Sequence, residues 1–249
     1  MAAALICGSL AYDSIMVFED HFKNHILPDK VHMLSVSFLV PELNKVFGGC
    51  AGNISYNFKM LGGEPYPMAA VGSDYGPYRD RLEKLGISQK YVLELSDKFT
   101  PQCFITTDLD DNQITAFHPG AMMESHQNKV AAADGIDIGI VAPDGRDAMI
   151  QHSTDFAAAG IPFIFDPGQA LPLFDGEDLK RFIDEATWVT VNDYEAELVK
   201  ERTGYSELDI ANKVEAFIVT KGGEGSSIYV KDQVLEIPNA KATELKDPT

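Results

Sequence analysis

The chain has 249 residues, with 38 acidic side chains against 20 basic ones and a formal net charge of −18. Hydrophobic residues at 45% and charged residues at 23% are proportions of a folded protein with a sizeable core, and they argue against disorder, a collagen-like repeat or a disulfide scaffold. The acidic balance argues against nucleic acid or an anionic membrane as partner, yet leaves a small phosphate ligand open, because backbone N–H groups hold such groups without clustered lysines.

The opening run Ala2–Leu10 is apolar, lacks a basic flank and passes straight into Tyr12-Asp13-Ser14, so it reads as a first strand rather than a signal segment. No apolar run reaches the roughly 18 residues of a membrane-spanning helix. Cys7, Cys50 and Cys103 lie far apart with no C-x-x-C pair, which fits a reducing compartment, and a cytoplasmic location is expected. Val31–Val40 then reads as a strand-like run with no helix before it. From Cys50 onward, helical and strand patterns alternate. Helices are expected over Cys50–Leu61, Tyr75–Leu85, Arg146–Ala159, Glu177–Glu185 and Tyr194–Arg202. Strands are expected over Met68–Val71, Asp137–Val141, Pro162–Phe165, Trp188–Val191 and Phe217–Thr220, with Ser227–Val230 following. This alternation specifies an α/β fold with a mostly parallel sheet flanked by helices. Gln102–Asp108 and Gln113–His118, joined by Leu109-Asp110-Asp111-Asn112, break the rhythm as a hairpin. They suggest a small inserted sheet closing over a pocket at the carboxyl ends of the parallel strands.

Four segments carry chemistry. Gly48-Gly49-Cys50-Ala51-Gly52-Asn53 precedes a helix, so its backbone can approach a ligand closely, and Asn53 offers both donor and acceptor to a sugar hydroxyl. Packing alone also accounts for such glycines. Asp13 follows the first strand directly, where a carboxylate accepts bonds from hydroxyls or makes an Asx-turn. Asn192-Asp193-Tyr194-Glu195 follows another strand, and its spacing serves either a capping box or a carboxylate holding Mg²⁺. Thr220-Lys221-Gly222-Gly223-Glu224-Gly225 is either a phosphate-approaching loop or a plain glycine-rich turn. His21 and His25 stand four apart without a convincing third metal ligand.

Taken together these segments resemble the ribokinase-like (PfkB) carbohydrate and nucleoside kinases. Gly48-Gly49, Ala51, Asn53, Ser55, Gly62 and Gly72 are similar to the family's first signature, Asn192 through Glu195 to its N-x-x-E motif, and Thr220, Gly222 and Gly225 to its T-x-G-x-x-G motif. Gly8–Asp13, Leu34–Val40, Phe117–Met122 and Asp166–Gln169 look most like bacterial adenosine kinases. The resemblance implies transfer of a phosphoryl group from ATP, with Mg²⁺, to the 5′-hydroxyl of adenosine, with a sugar kinase of the ribokinase or fructokinase type as the alternative. It implies that Asp13, Gly48, Gly49 and Asn53 bind ribose, with Ser9 and Ser37 bordering the pocket. Phe117 would stack on the base and Gln169 would bond its edge. Of Cys103 and Phe104 only one can face inward, and Phe104 is the expected one. Asn192, Thr220, Gly222 and Gly225 would line the ATP site and Glu195 would hold the metal. Residues 1–14, 46–98 and 121–249 would form a kinase core, and 15–45 and 99–120 a β lid through which two copies could pair.

The family's second signature begins Asp-Pro-Thr and continues into G-x-G-D, whose glycine amides form an anion hole and whose Asp is the general base. Here the sequence ends Asp247-Pro248-Thr249. The expectation is therefore a truncated kinase with no catalytic base within the chain, inactive or reduced to a nucleoside-binding fragment, and poorly soluble where sheet surface is left uncovered.

Overall fold

The computed structural model describes residues 2–241. In chain order its strands are β1 (Ala3–Cys7), β2 (Ala11–Val17), β3 (Leu43–Gly48), β4 (Glu64–Gly72), β5 (Tyr91–Leu95), β6 (Gln102–Thr107) and β7 (Gln113–His118). They continue as β8 (Ile138–Val141), β9 (Phe163–Phe165), β10 (Trp188–Asn192), β11 (Ala216–Thr220), β12 (Ser226–Val230) and β13 (Gln233–Ile237). The α-helices are α1 (Cys50–Met60), α2 (Gly76–Lys84), α3 (Arg146–Ala159), α4 (Gly176–Glu185), α5 (Asp193–Thr203) and α6 (Glu207–Ala211). None of the described helices is long and apolar enough to cross a membrane.

Among the described residues the strands form two sheets. The larger has nine strands in the order β13-β12-β11-β10-β9-β8-β1-β4-β5, parallel from β5 through to β11 and antiparallel for β12 and β13. Strand β1 is buried on both faces, and its successive residues feed two cores. Leu5 and Cys7 pack with Phe156, Phe163, Phe165 and Phe182 beneath α3 and α4, whereas Ala4 and Ile6 pack with Ala51, Tyr78 and Leu82 beneath α1 and α2. Farther along the sheet the burial becomes one-sided. Val189, Val191, Phe217 and Val219 are buried, while Trp188, Thr190, Ile218 and Ile228, which alternate with them, are half-buried. The helix pattern read from the sequence holds to within a residue or two, and α3 and α5 each end on a left-handed glycine, Gly160 and Gly204.

The smaller sheet has the order β3-β2-β6-β7, with β2 and β6 parallel and the outer pairs antiparallel. The hairpin β6–β7 forms where its alternation and turn residues place it. The smaller sheet reaches beyond the segments assigned to it from the sequence, because Ala11–Ser14 belong to β2 and Val46–Gly48 to β3. Val31–Val40 is not a strand. Pro28 opens a 3-10 helix over Pro28–Met33, and Leu34–Val40 follows as an irregular segment, with Phe38 packed on Phe18 and Phe22 at centroid distances of 4.8 and 5.0 Å. The first strand stops at Cys7 rather than Leu10, since the backbone of Ser9 is taken up by α1.

Candidate functional site

A cavity of about 630 Å³ lies between the carboxyl ends of β1 and β8 and the inner face of the smaller sheet. That is the place where helices switch from one face of the large sheet to the other, and where open α/β sheets bind ligands. Its wall is built from Ser9, Asp13, Gly49, Cys50 and Asn53 on one side and Cys103, Ile105, Thr115 and Phe117 on another. Met122, Pro143, Asp144, Gln169, Ala170, Pro172 and Leu173 close it.

The glycine pair is positioned by backbone geometry. Gly49 has φ +90°, and a Cβ there would stand 2.5 to 2.8 Å from the Ser9 carbonyl, the Ala11 nitrogen and Leu10 Cα, so no larger residue fits. The Ser9 carbonyl accepts from Ala51 N–H at 2.9 Å and its hydroxyl from Cys50 N–H at 3.2 Å, capping α1 from a distant segment. A Cβ on Gly48 would stand 2.0 Å from Asp13 Oδ2, so the carboxylate lies directly over this backbone. Gly48 is held from beneath by Tyr78, whose buried hydroxyl donates to its carbonyl at 2.8 Å.

Asp13 is not in a loop after the first strand. It is the third residue of β2, in register with Cys103 of β6, which is itself in register with Phe117 of β7. Asp13, Cys103 and Phe117 thus form one cross-strand row facing the cavity. Phe104, the residue favoured from the sequence, points to the opposite face of the sheet and is exposed, because alternation along β6 gives the inward position to Cys103. Ser37 is also not in the cavity wall. It sits exposed in the irregular segment that replaces the expected strand. Ser9, Gly49, Asn53, Phe117 and Gln169 do line it, and Gly48 lies directly behind.

Burial raises the Asp13 carboxyl above the ordinary carboxylate range. Asp144, after β8, is more extreme. It is 3% exposed, burial pushes it up to about 7, its Oδ1 accepts from Gly145 N–H at 2.8 Å, and the buried Ser125 hydroxyl lies beside the carboxyl. Asp166, after β9, is raised to about 6 by burial and by the Glu195 carboxylate. The sequence points to Cys103 only as the alternative to Phe104, and it does not single out Asp144. The signal for Asp144 was present: Pro143-Asp144-Gly145 follows a strand just as Asp13 was thought to, but reads more simply as a turn.

Asn192, Glu195, Thr220, Gly222 and Gly225 gather elsewhere, at the carboxyl ends of β10 and β11, where Asn192 and Thr220 are register partners. Asn192 and Glu195 form a complete capping box: the Asn192 side chain accepts from Glu195 N–H and Glu195 Oε2 from Asn192 N–H, both at 2.8 Å. The Thr220 hydroxyl makes a 3.4 Å contact to the Val191 carbonyl. Gly222 and Gly225 both have positive φ, +54° and +93°, and flank a 3-10 turn. Glu195 keeps its second oxygen, and its charge acts on the Asp166 carboxyl, so negative charge that suits a divalent cation gathers here. The histidine pair read from the sequence does not converge. His25 bonds Asp20 at 2.8 Å, while His21 meets Asp108 and Asp110. Asp108 there is consumed by Phe22, Asp110 and Asn112 donors and Asp110 by Lys23, so that cluster is a turn lock. Asp247-Pro248-Thr249 lies outside the described residues.

The family description that matches residues 10–249 is pfkB family carbohydrate kinase, and the chain belongs to this family. A nucleoside kinase of Methanocaldococcus jannaschii is 33% identical over 218 residues, covering 86% of this chain and 71% of the relative. Its solved structure, described as an archaeal member of the ribokinase family, superposes with a TM-score of 0.89 at 30% identity, over 100% of this chain and 80% of that one. The nucleoside kinase of Burkholderia thailandensis in complex with inosine gives a TM-score of 0.87 at 51% identity, over 99% of this chain and 79% of that one. The same kinase has been solved with ADP-inosine, with a TM-score of 0.84 at 54% identity over 98% and 77% of the two chains. The fold is ribokinase-like.

Proposed function

We propose that the cavity binds a purine nucleoside and that the protein's reaction is phosphoryl transfer from ATP to the nucleoside 5′-hydroxyl. The observation that carries this reading is the row Asp13–Cys103–Phe117, which joins a hydroxyl acceptor to an aromatic face on one rigid sheet. Asp13 and Asn53 make no side-chain hydrogen bond to other described residues, so both stand ready for ribose hydroxyls, with Gly48 and Gly49 allowing close approach. Phe117, exposed towards the cavity, supplies a stacking surface that a free sugar leaves unused. Gln169 offers donor and acceptor from the facing wall. A B. thailandensis relative at 51% identity binds inosine, so inosine stands beside adenosine as a substrate of this reading.

ATP would lie along the carboxyl ends of β10 and β11. Gly222 and Gly225 bring backbone close to it there, and Asn192 and Thr220 edge the same strip. Glu195, with Asp166 behind it, is the fitting ligand for Mg²⁺, which when bound neutralises charge on the transferring phosphates. The protein's part in the chemistry is positioning: the ribose is fixed at Asp13 and Asn53 and the base against Phe117, so one hydroxyl is presented at a time.

The test is calorimetric titration with inosine, adenosine and ribose, followed by a coupled ADP-release assay with each. Micromolar nucleoside binding with at least tenfold weaker ribose binding is expected. Ribose or fructose binding as tightly as the nucleosides would move the reading to a sugar kinase.

A further inference from the structure

The hydroxyl-binding corner of the cavity rests on a tyrosine that is not in its wall. Tyr78, in the first turn of α2, is 2% exposed and packs against Tyr12 and Phe47, with ring centroids 5.8 and 5.0 Å away. Its N–H donates to the Tyr12 hydroxyl at 3.2 Å, which ties it to the residue before Asp13. Its own hydroxyl donates to the Gly48 carbonyl at 2.8 Å. The Asp13 carboxylate lies over the same glycine.

A second glycine is kept for this tyrosine. Gly52 is the third residue of α1, where alanine is the better helix former, yet a Cβ there would run into the Tyr78 hydroxyl. The two glycines therefore have paired reasons. Gly48 leaves room for the Asp13 carboxylate, and Gly52 leaves room for the phenol that holds Gly48. A buried phenol needs a partner, and this one is spent on the peptide that leads into the cavity wall.

The consequence follows from peptide geometry. The Gly48–Gly49 bond is trans, so the Gly49 N–H points opposite to the Gly48 carbonyl, away from Tyr78. Gly49 lines the cavity, and its N–H bonds to no other described residue. Glycine on both sides gives this peptide no side-chain restraint, and the phenol supplies an anchor in its place. We propose that Tyr78 is a positioning residue: by holding the Gly48 carbonyl it aims the Gly49 N–H at a ligand hydroxyl beside Asp13. Tyr78 is not among the wall residues and acts only through this peptide. The proposal rests on the nucleoside reading above, in which that hydroxyl belongs to ribose.

Dissociation constants of the full chain, Tyr78→Phe and Gly52→Ala are measured for inosine and 2′,3′-dideoxyinosine, which differ only in the ribose hydroxyls. The unmodified chain is expected to bind inosine about tenfold or more tighter than the dideoxy compound. Tyr78→Phe keeps the ring and removes the donor. It is expected to cut that preference by about threefold or more while dideoxyinosine stays within about twofold. Gly52→Ala pushes the phenol off the Gly48 carbonyl without altering Tyr78 itself and is expected to do the same. It decides the matter if Tyr78→Phe does not fold. A preference that survives in the folded variants, or an equal loss for both ligands, overturns the proposal by leaving Tyr78 only a packing role. If the unmodified chain binds both compounds equally, or neither, the nucleoside reading itself falls and this inference with it.

Discussion

The two places where candidate residues gather differ in what their polar atoms are already doing. Around the cavity, Asp13 and Asn53 have no side-chain hydrogen-bond partners among the described residues, while the buried Asp144 carboxyl spends one oxygen on Gly145 N–H and lies beside the Ser125 hydroxyl. At the ends of β10 and β11, the Asn192 side chain, one oxygen of Glu195 and the Thr220 hydroxyl are all engaged with the protein. The first region is preorganised and unsatisfied, which is the condition of a binding site before its ligand. The second is satisfied by helix capping, so a ligand there must share or displace existing bonds. Identical motif quality in the sequence therefore corresponds to two quite different starting states.

The sharpest way to break the comparison is through its glycines. Gly49→Ala places a methyl group into three backbone atoms at φ +90° and is expected to cost about 3 kcal/mol or more in urea denaturation. Gly222→Ala, at φ +54° with open space around it, should cost only about 1 kcal/mol. Equal costs would mean that the cavity turn is less rigid than its geometry indicates.

The next effect concerns pH. Asp144 is protonated up to about pH 7 in the folded chain but only to about 3.8 when unfolded, so the folded state binds the extra proton between those values. Its contribution to stability is full below about pH 4 and is lost as pH rises through 7, at about 1 kcal/mol per unit. Asp166, raised to about 6, acts in the same direction; His152, lowered to about 4 by burial, acts oppositely. Melting curves from pH 4 to 8 for the unmodified chain and the non-titrating Asp144→Asn isolate the first of these: the unmodified chain should lose stability relative to the variant as pH rises. A pH-independent difference would mean that folding leaves the Asp144 pKa unshifted.

Smaller again is the contrast between neighbours on the inserted sheet. Phe117→Ala should weaken nucleoside binding about tenfold, and Phe104→Ala, on the other face, less than twofold, by titration. The smallest effect belongs to the capping box: Asn192→Ala should lower stability by about 1 kcal/mol and leave nucleoside affinity unchanged. A loss of nucleoside affinity in that variant would join the two regions into one site.

Most of the large sheet was legible because each strand is a short apolar run punctuated by helix caps, as with Trp188–Val191 before Asn192 and Phe217–Thr220 before the glycines. The failures have physical causes. Val31–Val40 is apolar enough for a strand, but Pro28 and Pro41 bracket it and Phe38 finds its partners within an irregular segment. β3 is half polar and runs along a sheet edge, so it carries no alternation to read. The choice between Cys103 and Phe104 turned on strand parity, which the sequence leaves undetermined until the register with β2 is known. Aromatic chemistry favoured the wrong one.

The row through Asp13, Cys103 and Phe117 also bears on timing. Because hydrogen-bonded strands tie the three together, the sheet carries its hydroxyl acceptor and its aromatic face as one body. A ligand gripped at both ends then has no half-released state in which one contact has opened and the other holds. Its departure should be a single exponential event, with a residence time set by lifting of the whole sheet rather than by either contact alone.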